Sequence, residues 1–430
     1  MTDSATDQAV AAVWRAESAK IVAGVARMVR DIGIAEELAQ DALVAALERW
    51  PQAGVPDNPG AWLMATAKNR ALDRLRRNKV LQEKLEQIGH DLEAQEAHMV
   101  PDFVDGLDAA RDDEIGDDLL RLIFTACHPL LSQEARVALT LKLLGGLSTH
   151  EIARAFLVPE PTIAQRITRA KHSLSEAGVP FEVPHGDALA ARLASVLEVI
   201  YLIFNEGYTA TAGDDWMRPE LTNEAMRLGR MLAGLAIDEP EVHGLLALME
   251  LQASRGAARV DGSGRPVLLM EQDRSRWDSL LIRQGLEALE RADALAAAGQ
   301  QTSGPYGLQA AIAACHARAL SGDETDWARI AATYDALARI SPSPVVELNR
   351  AVAVGMAFGP AAGLAIIDAL GSDKSLANYH WLPSVRGDLL AKLGRAEEAI
   401  AEFEQAARLA QNLREREFLL ERAGQLKPRH

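Results

Sequence analysis

The sequence predicts an all-α protein: two small helical domains, the second with a helix-turn-helix, joined by an acidic linker and followed by a larger domain of tetratricopeptide-like (TPR-like) helical repeats. Three observations carry that prediction. Nearly every segment spaces its apolar residues at helical period, and almost none alternates as a strand does. Acids crowd the stretch from Glu83 to Asp118 against Lys84 and Arg111 alone. The C-terminal part echoes itself at about the 34-residue spacing of stacked helix pairs.

At 430 residues and 48% hydrophobic content the chain has room for roughly three domains with packed cores. No window approaches the roughly 18 consecutive apolar residues of a membrane span, and the first residues mix Asp3, Asp7, Arg15 and Glu17 into an amphipathic pattern. A cytoplasmic protein with no membrane partner is expected. Two cysteines, Cys127 and Cys315, make neither a disulfide framework nor a zinc module and read as small buried side chains. A formal net charge of −16 argues against indiscriminate nucleic-acid binding, so any DNA contact must be local or assisted by a partner.

The first domain, residues 7–80, is predicted to hold three or four helices. In Ala35 to Trp50, residues Leu38, Ala42, Leu43, Ala46 and Leu47 mark a core stripe, with Glu36, Glu37, Gln40 and Asp41 facing outward. Pro51 and the run Gly54 to Gly60 should end that helix. A helix from Pro59 follows, with Asn58 as its cap. It gathers Lys68, Arg70, Arg74, Arg76, Arg77 and Lys79 against Asp73 alone. The linker, 81–118, is either a solvated tether or an acidic strand that imitates nucleic acid in a basic channel.

The second domain, 119–178, holds "LSTHEIARAFLVPEPTIAQRITRAKHSL". It reads as two short helices around a tight turn: Ser148 or Thr149 caps the first, and Pro161 opens the second. Ile152, Ala153, Phe156, Val158, Ile163, Ile167 and Ala170 form the shared core. Thr162, Gln165, Arg166, Arg169, Lys171 and His172 face outward with no acid among them. Arg and Gln make bidentate contacts to purine edges while Lys and Thr hold phosphates, which is what a helix in a major groove needs. An ordinary helical hairpin with a solvated basic face has the same pattern.

Taken in order, "AEELAQDALVAALERW", "AWLMATAKNRALDRLRR" and the helix-turn-helix stretch resemble the conserved regions of bacterial RNA polymerase sigma factors of the extracytoplasmic-function type, over about the first 178 residues. The resemblance implies that core RNA polymerase is the partner, through the clamp helices of its largest subunit and its flap region, and promoter DNA the target. It implies that Glu37, Gln40 and Asp41 grip the clamp helices. It implies that Asp57, Asn58, Trp62, Lys68, Asn69, Arg70, Arg74, Arg76 and Arg77 serve the minus-ten element, with Val55 to Asn58 as the base-reading loop. Trp62 serves equally well as a core anchor. The minus-thirty-five element falls to Thr162, Gln165, Arg166, Arg169 and Lys171. By the same resemblance the linker threads the polymerase cleft, and an acidic factor of this kind binds DNA well only when the polymerase holds both readers at the right spacing.

The remaining part, 185–430, exceeds the common family pattern. In "GDLLAKLGRAEEAIAEFEQAARL", Gly387, Leu390, Ala399, Phe403 and Ala406 fall where small and large residues interlock paired helices. Ala351, Val354, Gly363, Ile367 and Leu370 echo them one repeat earlier, and Tyr334, Leu337 and Pro342 earlier still. Upstream, Asn205, Glu206, Tyr208, Arg227, Asp273, Arg274, Arg276, Trp277 and Asp278 either line a sensor pocket or latch for a regulatory protein or ligand, or serve as buried ion pairs and loop anchors. Catalysis is not expected: Glu206, Asp214 and Asp215, and the pairs Cys127-His128 and Cys315-His316, form no convergent acid-base or metal set. No cofactor-binding motif is present. A helix-turn-helix regulator with a sensory repeat domain would leave the first 80 residues idle.

Overall fold

The computed structural model describes residues 3–89, 112–156, 158–185, 187–209, 217–262, 267–371, 376–377, 379–410 and 413–427. Among them there are helices and no strand. The chain divides into two compact units, Met1–Val199 and Ile200–His430. The boundary falls inside one helix, whereas the sequence reading starts the extension at residue 185.

The first unit begins with α1 (Asp3–Val29), α2 (Ile32–Ala53) and α3 (Pro59–Gly89). The Asp31 carboxylate starts α2 by accepting the Ile34 N–H at 2.9 Å. The helix does not stop before Pro51 as expected. A proline so near the end removes one N–H donor only, and the chain leaves at Gly54, whose φ of 83° suits glycine and whose N–H returns to the Trp50 carbonyl at 2.9 Å. Asn58 caps α3 as predicted, accepting the Ala61 N–H at 3.1 Å, and the helix continues well past Lys79. Ala39, Ala42 and Ala46 of α2 and Ala67 and Ala71 of α3 are fully buried with Val25 of α1. Such small side chains let the helices approach closely. Residues 90–111 lie outside the described residues, and with them most of the acidic linker: Asp91, Glu93, Glu96, Asp102, Asp105 and Asp108.

The unit continues through α4 (Asp112–Ala126), α5 (Gln133–Leu143), α6 (Thr149–Ala155) and α7 (Glu160–Glu176). Asp118, counted with the linker acids, is buried in α4 and pairs with Arg121 at 2.7 Å and Arg27 of α1 at 3.4 Å. Helices α6 and α7 form the expected helix-turn-helix. Ser148 and Glu151 close a reciprocal capping box, Pro161 lies in the first turn of α7, and Ile152, Ala153, Ile163, Ile167 and Ala170 are buried. Phe156 and Val158 are only half-buried. The first part of α8 (Asp187–Tyr208) completes the unit: Ser195 donates to the Cys127 carbonyl at 2.7 Å, Arg192 to the Phe124 carbonyl at 2.7 Å, and Glu198 pairs with Arg136 at 3.0 Å. Both cysteines are free and buried, and burial pushes the Cys127 thiol up to about 11. The stretch Ala188–Tyr208 is long and apolar enough to cross a membrane by length and composition alone, but Leu193, Val196, Leu197, Val199, Ile200, Ile203 and Phe204 are buried in the protein.

The second unit continues with α9 (Pro219–Leu235), α10 (Pro240–Ala253), short 3-10 turns at Gly256–Ala258, Leu269–Glu271 and Arg274–Arg276, then α11 (Ser279–Ala298) and α12 (Pro305–Arg318). Helices α13 (Trp327–Ile340), α14 (Pro344–Phe358), α15 (Pro360–Leu370), α16 (Trp381–Lys392), α17 (Ala396–Leu409) and α18 (Leu413–Gln425) follow. Short connections make neighbours antiparallel pairs. Leu390, Ala399, Phe403 and Ala406 are fully buried between α16 and α17, and a Cβ on Gly387 would meet the Phe403 ring at 3.0 Å. Gly363 plays the same part in the pair before, where a Cβ would meet the Ala351 carbonyl at 2.6 Å. The predicted interlock is therefore present at Gly387 to Ala406; in the repeat before, Ala351, Gly363 and Ile367 are buried, whereas Val354 and Leu370 are half-buried and Val354 packs against the Ile312 and Ile330 cluster instead.

Candidate nucleic-acid interface

The α3 helix presents its basic residues as a track. Arg74, Arg76, Arg77 and Lys79 are exposed, and Arg70 and Lys68 are half-buried. Asn69 is exposed, as are Asp57 and Asn58 in the preceding loop, with Val55 beside them. Trp62 is half-buried and packs edge-on against the buried Trp50 at 5.5 Å, so the ring anchors the α2–α3 junction.

Arg70 pairs with Asp41 at 3.0 Å and Arg74 with Glu37 at 3.4 Å. The basic track and the acidic face of α2 therefore meet along one seam. All four side chains are substantially exposed, and such pairs contribute only about 0–1 kcal/mol each. A phosphate or another protein can displace either partner at little cost. On the same face of α2, Val44 and Leu47 are 50% and 41% exposed. The sequence reading put Leu47 in the core and did not single out Val44. Its signal was available: Asp41, Val44 and Leu47 share a helical face, and the small α1–α3 core does not use it.

Glu36 departs furthest from expectation. Read as outward, it is 4% exposed. Its carboxylate pairs with Lys171 of α7 and with Lys142 of α5 at 3.6 Å, and accepts a hydrogen bond from Gln40 at 2.7 Å. Burial lowers the pKa of both lysines, with Asp31 partly opposing that at Lys171 and Glu151 at Lys142. Gln40, a candidate polymerase contact, is thus half-buried. Further links lie nearby in the unit: Ser175 of α7 donates to Asp31, the cap of α2, at 2.9 Å, and Arg15 of α1 pairs with Glu151 of α6 at 2.5 Å. The turn after α5 sits so close to α1 that a Cβ on Gly146, at φ 65°, would meet the Ser18 hydroxyl at 2.8 Å.

On α7, Gln165 and Arg169 are exposed and Thr162 and Arg166 half-buried, all clear of the Glu36 cluster. Lys171, grouped with them from sequence, is held at Glu36 instead. The helix thus keeps its N-terminal half open, the half that reaches base edges in a helix-turn-helix, while its C-terminal half packs on α2.

In the second unit most of the polar residues singled out from the sequence have local structural duties. Glu206 pairs with Arg218, Arg227 with Glu224 at 2.7 Å, and Asp273 and Asp278 cap the third 3-10 turn and α11. Asp214 and Asp215 lie outside the described residues.

Comparison with known proteins places names on these parts. Residues 14–80 match the family Sigma-70 region 2, residues 121–174 match Sigma-70, region 4, and residues 192–293 match a family of unknown function, DUF6596. An uncharacterized protein of Rhizobium meliloti (strain 1021), R00370, is 43% identical over 394 residues, 91% of this chain and 90% of that protein. The probable ECF RNA polymerase sigma factor SigI of Mycobacterium tuberculosis is 30% identical over 176 residues, 40% of this chain and 57% of that protein. ECF RNA polymerase sigma factor SigK of Mycobacterium ulcerans is 31% identical over 155 residues, 35% of this chain and 75% of that protein. No solved structure matches the chain.

Proposed function

Because this chain belongs to the extracytoplasmic-function sigma-70 family, with a helical C-terminal extension, we propose that it initiates transcription through three surfaces, two of them sharing a seam, under the influence of that extension. Family membership supports binding to core RNA polymerase and promoter DNA, and a non-catalytic role. The finer assignment is ours. Glu37, Gln40 and Asp41, extended by Val44 and Leu47, meet the polymerase clamp. Asp57, Asn58, Lys68, Asn69, Arg70, Arg74, Arg76 and Arg77 follow the minus-ten strand, with Trp62 positioning the loop. Thr162, Gln165, Arg166 and Arg169 read the minus-thirty-five element, which Lys171 joins only after leaving Glu36.

The observation that carries this reading is the shared seam between α2 and α3. Arg70 and Arg74 are neutralised by Asp41 and Glu37, so polymerase binding to those acids frees the arginines for DNA. A coupling of this kind fits a chain of net charge −16 that must bind promoters only within the holoenzyme. Spacing points the same way. Elements about 25 base pairs apart span about 85 Å of B-DNA at 3.4 Å per step, whereas Lys171 of α7 and Glu36 of α2 are in contact. Reading both elements at once therefore requires α7 to separate from α2. For the extension we propose a regulatory or stabilising role.

Run-off transcription with purified core polymerase and the full chain tests the reading. Promoter-specific initiation without another factor is expected; a chain that does not associate with core polymerase would overturn it. A truncation that tests the extension belongs after Tyr208, since α8 residues Arg192, Ser195 and Glu198 are bonded into the first unit.

A further inference from the structure

One cluster in the second unit is built from groups that donate hydrogen bonds or carry positive charge, and its charge is not balanced. It lies where the end of α8, the end of α10, the third 3-10 turn and the end of α12 meet. Arg255 sits 5.9 Å from the centres of both the Tyr208 and Trp277 rings, and Arg274 lies 4.8 Å from the centre of Trp277. Both guanidiniums therefore share the Trp277 ring. One terminal nitrogen of Arg255 donates to the Tyr208 hydroxyl and to the Gln252 side-chain carbonyl. Its Nε and second terminal nitrogen have no acceptor among the described residues. Arg274 is anchored by the His316 carbonyl, by the Ala319 carbonyl at 2.8 Å and by the Thr325 hydroxyl at 3.1 Å.

Neither Arg255 nor Arg274 forms an ion pair among the described residues. Glu324 acts on Arg274 only from a distance. In a protein with 61 acids to 45 lysines and arginines, two half-buried guanidiniums that repel one another and lack a carboxylate partner are a conspicuous arrangement. Local ion pairs elsewhere in this unit, such as Arg230 with Glu250 at 2.8 Å, show the usual alternative. A second observation is independent of charge. Trp277 is 7% exposed, yet its indole N–H has no hydrogen-bond partner among the described residues, and neither has the buried Nδ1 of His316. A buried donor left alone is costly, because the hydrogen bond it made to water in the unfolded chain is not replaced. Burial first, and then the charges of Arg255 and Arg274, lower the pKa of His316 to about 3, so its imidazole is neutral. What the cluster lacks is an acceptor-rich, negatively charged group.

We propose that the extension binds a small oxyanion, the carboxylate or phosphate group of a ligand, between Arg255 and Arg274 beside the Trp277 indole. Guanidinium edges match such a group in geometry, and charge-assisted bonds to it are about twice as strong as neutral ones. An occupant would tie together the ends of α10 and α12 and the 3-10 turn between them, giving the extension a ligand-dependent rigidity. The site is built from residues of the second unit alone, and its test needs no polymerase, so its failure leaves the sigma-factor reading untouched.

The experiment uses the full chain in chloride buffer, titrated at constant ionic strength with inorganic phosphate in one arm and acetate in the other. Melting temperature and tryptophan fluorescence are followed together. A saturable rise in melting temperature with a matching fluorescence change is expected in at least one arm, and the responding arm tells phosphoryl from carboxylate recognition. Arg255→Gln should weaken the response at least tenfold, and Trp277→Phe should remove the fluorescence change. No saturable effect of either anion on the wild-type chain overturns the proposal, whatever the variants do. So does a response unaltered in both Arg255→Gln and Trp277→Phe, because the anion would then bind elsewhere.

Discussion

Lys171 of α7 and Glu36 of α2 are joined by an ion pair across 135 residues of sequence, with Glu36 almost wholly buried. The pair holds a residue of the DNA-reading helix against the helix that carries the candidate polymerase face. Removing Glu36 leaves Lys142 and Lys171 without their carboxylate in a half-buried place. Breaking a buried pair from one side costs about 3–5 kcal/mol if nothing moves. Release of α7 into water relieves that cost. Glu36→Ala is therefore expected to raise the affinity of the free chain for a minus-thirty-five duplex severalfold, measured by fluorescence anisotropy, with helix content unchanged by circular dichroism. An unchanged affinity would mean that the pair does not restrain α7.

The α3 track is tested by reversing charge. Converting Arg74, Arg76 and Arg77 together to Glu should abolish open-complex formation, read by permanganate reactivity of melted thymines, while core-polymerase binding persists. With fewer phosphates neutralised, fewer counterions are released, so promoter binding should also depend less steeply on salt. Normal melting by this variant would show that α3 does not follow the strand.

Base reading by α7 has a different signature. Gln165→Ala or Arg166→Ala should change sequence preference at one position of the minus-thirty-five element by about 1–3 kcal/mol. A panel of point-mutated promoters distinguishes this from a uniform loss, which would mark the side chain as a phosphate contact.

In the repeat domain, Gly387→Ala should destabilise the chain by about 1–3 kcal/mol, the usual cost of overpacking. The added methyl would stand 3.0 Å from the ring of Phe403, a fully buried residue with little room to move. Chemical denaturation of the second-unit transition measures the loss, and wild-type stability would contradict the interlock.

His316 supplies a pH prediction. Its pKa in the folded chain is about 3, below the ordinary 6.5 of an exposed imidazole, because burial and the charges of Arg255 and Arg274 disfavour the protonated ring. The unfolded chain therefore binds the extra proton first. The stability this residue contributes is present above pH 6.5 and falls as the pH drops from 6.5 toward 3, by at most about 1.4 kcal/mol per pH unit. Melting temperatures between about pH 7 and pH 5.5 should fall less steeply for His316→Asn than for the wild-type chain; parallel slopes would show that His316 does not govern this range.

Much of this is legible in the amino-acid sequence. The cap at Ser148 or Thr149, the Asn58 cap and the Gly387 to Phe403 interlock depend on residues a few positions apart or on a fixed helical period. Local chemistry announces such features in local sequence. Glu36 and Leu47 were misread for one reason: a helical stripe shows which faces are apolar, but not what covers each face. The α1–α3 core is small and leaves Leu47 outside it, while lysines from α5 and α7 close over Glu36. Arg255 went unremarked because an isolated arginine in sequence carries no sign of whether an acid waits opposite.

The amino-acid order alone settled the all-helical class, the succession of regions and the basic character of α3 and α7, since these follow from short-range periodicity, capping and charge density. Tertiary structure decided which of those charges are free: it paired Arg70 with Asp41, drew Lys171 onto Glu36 and left Arg255 and Arg274 without a carboxylate partner among the described residues. Electrostatic partnership depends on distance in space and on removal from water, and neither quantity is written along the chain.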